Sequence, residues 1–201
     1  MDEILMEFNK SDTSDFSDFY EDRKIFFDKE VTPSFVQDTI MWLMRWECED
    51  LGVAIEERQP ITIFLNSNGG SVQAGLTLID FIQCMETPIN MVVLSKAFSM
   101  TAWLLLAIPV ERRYMFKNST ILFHDGYFSL EGKSSWVKDH IKLNDVMDAV
   151  CEKLVLENKK ITKRLYNKKI ETEWFMLKDE AKKLGVVGNI IGEDISLQEI
   201  L

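Results

Sequence analysis

The chain reads as an α/β protein built from a parallel sheet covered by helices, and three observations predict it. Apolar runs typical of buried strands, at 61–65, 91–94 and 120–124, alternate with stretches of helical periodicity. The pair Gly69-Gly70, Ser99 and His124 each fall where a strand-like run ends, the place where parallel sheets gather ligand groups. The 201 residues are 46% hydrophobic, enough to bury the core of one sizeable domain.

Residues 1–22 include Ser11-Asp12-Thr13-Ser14-Asp15-Phe16-Ser17-Asp18-Phe19, which has neither helical nor strand period. This composition resists ordering and predicts a flexible segment, with phenylalanines suited to docking; residues 23–201 are expected to form a single domain. Ile25-Phe26-Phe27 predicts a first strand. Thr32-Pro33 opens a helix, since proline suits a first turn, and Phe35, Val36, Ile40, Leu43 and Met44 follow at helical spacing.

After Gly52 and Pro60, the strand at 61–65 is closed by Asn66-Ser67-Asn68-Gly69-Gly70. Val72, Leu76, Ile79, Phe81 and Ile82 predict the next helix, which Pro88 stops. A strand at 91–94, a helix at 99–108, and short strands at 114–116 and 120–124 follow. Trp136, His140, Leu143, Met147, Val150, Leu154, Ile161 and Leu165 then recur at three- and four-residue steps. They predict one long amphipathic helix, too long for a domain of this size, that projects to meet another subunit. Residues 175–187 predict a helix ended by Gly185 and a strand-like Val186-Val187.

Charge and cysteine usage narrow the function classes. With 23 Lys and Arg against 33 Asp and Glu, the net charge is -10, which disfavours nucleic acid as a partner. Cys48, Cys84 and Cys151 are far apart and lack any Cys-x-x-Cys spacing, so reduced, buried thiols are expected rather than disulfides or a zinc site. With only two histidines, no metal or cofactor site is expected. The first residues are acidic where a secretory or organellar signal would be basic, and the longest apolar stretch, around 97–110, is too short to span a bilayer. A cytoplasmic protein without membrane contact is the expectation.

Ser99 is a lone hydroxyl in Ala97-Phe98-Ser99-Met100-Thr101-Ala102-Trp103. A serine opening a buried helix serves either as a cap or as a nucleophile. His124 ends an apolar strand and is either a core histidine or a general base. Glycines at 69 and 70 form either a plain turn or backbone that brings an N–H close to a developing oxyanion, with the Met100 N–H as a second donor. His140, on the apolar stripe of the long helix, fits packing or a subunit contact. Asp125 adjoins His124 but faces the opposite way along a strand, and Lys96, three before the serine, is a weaker candidate base than His124.

Together, Ser67-Asn68-Gly69-Gly70, Gly75 and Asp80, Ala97-Phe98-Ser99-Met100-Thr101-Ala102, Asn118-Ser119-Thr120-Ile121-Leu122-Phe123-His124, and Glu180-Ala181 before Leu184-Gly185-Val186-Val187 resemble the ClpP family, the proteolytic subunit of Clp protease. The resemblance runs in order from about residue 25 to 187. It implies a crotonase-like fold and a serine endopeptidase that cleaves unfolded polypeptides inside stacked seven-membered rings. By the same resemblance Ser99 is the nucleophile, His124 the base, Gly70 and Met100 the oxyanion donors, and about 134–164 the handle helix between rings. Glu173 stands where the family usually has Asp as third catalytic residue. An AAA+ unfoldase or a ClpP paralogue is the implied partner.

Departures from the family pattern are Asn68 for proline, Phe98 and Thr101 around the serine, Asp125-Gly126 after the histidine, Tyr127-Phe128-Ser129 for a glycine pair, and Thr172 for an arginine. They describe a divergent member, phage-encoded or a second-copy paralogue. Two other functions fit such a chain: a catalytically impaired structural or regulatory subunit, and a phage head-maturation peptidase.

Overall fold

The computed structural model describes residues 22–127 and 129–201. The segment expected to be flexible lies outside the described residues as far as residue 21, as does Phe128.

A seven-stranded sheet forms the centre of the fold, with β1 (Lys24–Phe27), β2 (Ile61–Ser67), β3 (Ile89–Phe98), β4 (Arg113–Phe116) and β7 (Asn189–Ile191) side by side in that order. All of these neighbours are parallel. The ten-residue β3 serves two neighbours in succession. Its first half pairs with β4 (Met91 with Arg113), and its second half pairs with β5 (Thr120–Phe123) in the register Phe98 with Leu122. β5 in turn pairs antiparallel with β6 (Trp174–Met176), matching Phe123 to Trp174. The sheet therefore branches at β3, and the branch carries the ends of β3, β5 and β6 to one place.

Strands β2 and β3 are near-continuous apolar runs because both of their faces are covered. One face supplies Ile63, Leu65, Met91 and Val93 to the main core under the helices; the other supplies Phe64 and Val92 to a smaller cluster with Tyr114, Ile191 and Ile200. The covering helices start at side-chain caps. Thr32 accepts from the Phe35 N–H at the head of α1 (Pro33–Glu49), and Ser71 accepts from the Ala74 N–H at the head of α2 (Val72–Cys84).

Four expectations are corrected. The helix after Ser99, α3, spans only Met100–Leu105, because the carbonyls of Leu106 and Ile108 turn to the guanidinium of buried Arg113 at 3.2 and 2.7 Å. The long helix is two: α4 (Ser134–Glu157) stops at Asn158, whose amide donates to the Leu184 carbonyl at 2.6 Å, and α5 (Lys163–Ile170) restarts under a Thr162 cap. Ile161 sits in the link and is 2% exposed, so the chain breaks helix to bury it; its seven-residue spacing from Leu154 mimicked a continuous stripe. Residues 174–176 are strand rather than helix, held by their pairing with β5, and α6 (Lys178–Lys183) precedes Gly185 at φ +69. Val186 and Val187 are core residues, and the strand lies beyond them in β7. Finally, Cys48 and Cys84 are exposed; only Cys151 is buried.

Candidate functional site

Sheet register brings the candidate residues together. Continuing the β3–β5 ladder past Phe98, the Ser99 N–H donates to the Leu122 carbonyl at 2.9 Å. Continuing the β5–β6 ladder one step past the Phe123–Trp174 pair sets His124 against Glu173, and the imidazole Nδ1 lies 3.2 Å from Glu173 Oε1. That contact fixes one imidazole nitrogen and leaves Nε2 for other work. β6 is held where it delivers Glu173 by aromatic packing: Trp174 packs on Phe123, its indole N–H donates to Glu180 at 3.0 Å, and Phe175 meets Phe98 edge-on at 5.8 Å. Phe98, one of the departures from the family pattern, thus braces the strand that carries the carboxylate.

Ser99 occupies the N-cap position of α3 but does not cap it. Its backbone is at φ 51°, ψ -133°, a left-handed setting that a non-glycine residue adopts only under constraint, and its side chain accepts no capping hydrogen bond. Of the two sequence-level alternatives for this hydroxyl, the cap is therefore not realised. Gly69 packs directly against this turn: a Cβ there would lie 2.6 Å from Ser99 Cβ, 2.7 Å from the Phe98 oxygen and 2.9 Å from the Met100 nitrogen. Only glycine fits at φ +94 in that space.

Gly70 is pinned from its other side, where Val31 donates to the Gly69 carbonyl and accepts from the Ser71 N–H, both at 2.8 Å. Among the described residues neither the Gly70 nor the Met100 N–H has a hydrogen-bond partner, so both donors are free. With six residues, α3 has little dipole to add; the free Met100 N–H is what it offers.

Ser99, Met100 and His124 line one cavity of about 410 Å³ between α3, α4 and α5. No hydrogen bond joins the Ser99 hydroxyl to His124 among the described residues. Lys96 is elsewhere, with its ammonium over the Phe98 ring at 5.9 Å and its side chain in a different cavity beyond the glycine turn. His140 stacks on Trp136 along α4, away from the cavity. Asp125 does line it, and its N–H is held by the Ile170 carbonyl at 3.0 Å.

Sequence reasoning missed the far wall. Asp145, Asp148 and Glu152 of α4, with Tyr166 and Glu171 from α5 and just beyond, also face this cavity. Spacings of three and four along one helix were the available signal. Burial, with repulsion from Asp145 and Asp125, holds the Asp148 carboxyl above its usual range, and burial pushes the Cys151 thiol up to about 12, so it is inert as a nucleophile. Among the described residues no group of His, Cys, Asp or Glu is arranged to hold a metal ion, and no helix is long and apolar enough to cross a membrane.

A branched, mostly parallel sheet covered by helices defines an α/β protein, with Ser99 at one strand end and the His124–Glu173 pair at the next. A protein-family model described as Clp protease matches residues 9–194, and the chain belongs to that family, as a ClpP family member. The fold is compatible with the ClpP type, and the family supports a ClpP-like peptidase.

Proposed function

We propose that the chain is a serine endopeptidase that cleaves unfolded polypeptides through an acyl-enzyme at Ser99. Its hydroxyl attacks the carbonyl carbon while His124 takes the proton and then returns it to the departing amine; water repeats the sequence on the ester. Glu173 orients the imidazole and stabilises its protonated form. The N–H groups of Gly70 and Met100 receive the oxyanion of the tetrahedral intermediate.

The observation that carries this reading is a serine side chain held in a strained, uncapped position on the wall of the same cavity as a histidine–carboxylate pair. Seating of substrate, or of a neighbouring subunit, brings the hydroxyl into hydrogen-bond reach of the imidazole. Exposed apolar side chains along α4, among them Trp136, Leu143 and Val146, favour self-assembly, and we infer rings of seven, stacked in pairs, fed by an AAA+ unfoldase in the cytoplasm.

The test is degradation of a permanently unfolded polypeptide by the purified chain, followed by mass spectrometry of the products. Cleavage that Ser99→Ala abolishes supports the reading. A second reading, a structural subunit paired with an active paralogue, is favoured by the missing Ser99–His124 hydrogen bond; it predicts cleavage only after the paralogue is added.

A further inference from the structure

The cavity at Ser99 has a composition that the reaction itself does not require. Asp125, Asp145, Asp148, Glu152 and Glu171 contribute carboxylates to its wall, and among the described residues no lysine or arginine lines it. Glu152 is met from outside by Lys163, and Asp148 accepts only a 3.4 Å bond from the Asn144 amide. Among the described residues, the side chains of Asp125, Asp145 and Glu171 have no hydrogen-bond or ion-pair partner. Burial first, then repulsion from Asp145 and Asp125, holds the Asp148 carboxyl above its usual range.

An independent observation comes from Tyr166. It is 7% exposed, it lines the same cavity, and its hydroxyl has no hydrogen-bond partner among the described residues. Among the described residues Thr101 Oγ1, not the Tyr166 oxygen, is the buried side-chain polar atom without a partner, so the phenol oxygen is reached through the cavity and stands open to an occupant's donor. The wall also has an apolar part, from Val72, Trp103 and Ala149, while the Trp103 N–H is already spent on the Cys151 carbonyl at 3.0 Å.

We propose that this cavity selects a lysine or arginine side chain on the residue whose carbonyl Ser99 attacks. The proposal rests on the reading of Ser99 as nucleophile for its placement next to the scissile bond. The aliphatic stem lies along Val72, Trp103 and Ala149, and the cationic head meets the Asp145–Asp148 side, with the Tyr166 oxygen as a further acceptor. An apolar side chain would strip water from carboxylates and return nothing, and an acidic one would be repelled. A metal ion is a poor alternative, because the acids ring the cavity without converging on a point.

The experiment measures binding apart from catalysis. Ser99→Ala protein is titrated, by fluorescence anisotropy, with labelled peptide amides that end in arginine or in norleucine, and with a control of the same charge whose arginine is at the other end. The arginine-ended peptide is expected to bind about tenfold tighter than both others. The preference should shrink as salt rises from about 0.05 M to about 0.5 M. It should fall in Asp145→Asn and largely vanish in Asp145→Asn/Asp148→Asn, with circular dichroism confirming that each variant is folded. Equal binding of the arginine- and norleucine-ended peptides, equal binding of the control, or a preference that survives the double variant overturns the proposal. Fluorophosphonate treatment of the unmutated chain separates the two ideas: a preference for terminal arginine without a serine adduct upholds the cavity and sinks the nucleophile, whereas an adduct without the preference does the reverse.

Discussion

Glu173 and His124 face one another one step beyond the last β5–β6 pair, with carboxylate oxygen and imidazole Nδ1 3.2 Å apart. Because both are strand-end residues, their contact is set by register and by the Trp174 and Phe175 anchors rather than by a flexible loop. If the carboxylate fixes the tautomer, Glu173→Gln lowers the rate of peptide hydrolysis by roughly 100-fold or more without unfolding the chain. Glu173→Asp keeps the charge but withdraws it by about 1 Å, and an intermediate loss is expected. Stopped-flow cleavage of a fluorogenic peptide checks both; unchanged rates would make Glu173 a surface acid.

Gly69 has no room for a side chain. Its ideal Cβ would sit 2.6–2.9 Å from Ser99 Cβ, the Phe98 oxygen and the Met100 nitrogen, backbone or near-backbone atoms that cannot swing aside. Gly69→Ala is expected to cost about 2–3 kcal/mol and to displace Ser99. Urea unfolding and active-serine labelling should therefore both suffer; a variant of full stability and activity would contradict the geometry.

Thr101 is fully buried, and its hydroxyl has no partner among the described residues. Thr101→Val keeps the shape and removes the unpaired group, so it should stabilise the chain by about 1 kcal/mol, seen as a rise in Tm of roughly 2–4 °C. A fall in Tm would show that the hydroxyl is satisfied in solution.

Arg23 and Asp50 form a two-bond pair at 2.6 and 2.8 Å, with Thr87 adding a third bond to the carboxylate. The Arg23 hydrogen bond, opposed by burial and helped by Thr87, holds the Asp50 carboxyl below its ordinary 3.8. A lowered carboxyl stabilises the fold at pH above that value and loses the contribution as pH falls through its folded value. Both side chains are nearly buried, at 11% and 7% exposure, so Asp50→Asn is expected to cost about 3 kcal/mol at neutral pH. The gap in Tm between variant and parent should close between roughly pH 5 and pH 2. A gap that does not change with pH would rule out the ionised pair as its source.

Much of this was legible in the chain because it is locally encoded. The strands with both faces buried appear as unbroken apolar runs, the caps Thr32 and Ser71 precede periodic stretches, and Ser99, His124 and the glycine pair mark strand ends. What escaped depends on distant partners. The break at Asn158 follows from a bond to Leu184 and the burial of Ile161, and the strand at Trp174 follows from pairing with β5. The acidic wall escaped because Asp145 and Asp148 look like the solvated side of an amphipathic helix until α3 and α5 close the cavity around them.

The central claim is that Ser99 is an activated nucleophile, and the most direct measurement is intact-protein mass spectrometry after treatment with a fluorophosphonate. The account predicts one adduct per chain, mapped to Ser99, absent from Ser99→Ala and slowed by roughly 100-fold or more in His124→Ala. An assembled, folded protein that gains no adduct at Ser99 would contradict it.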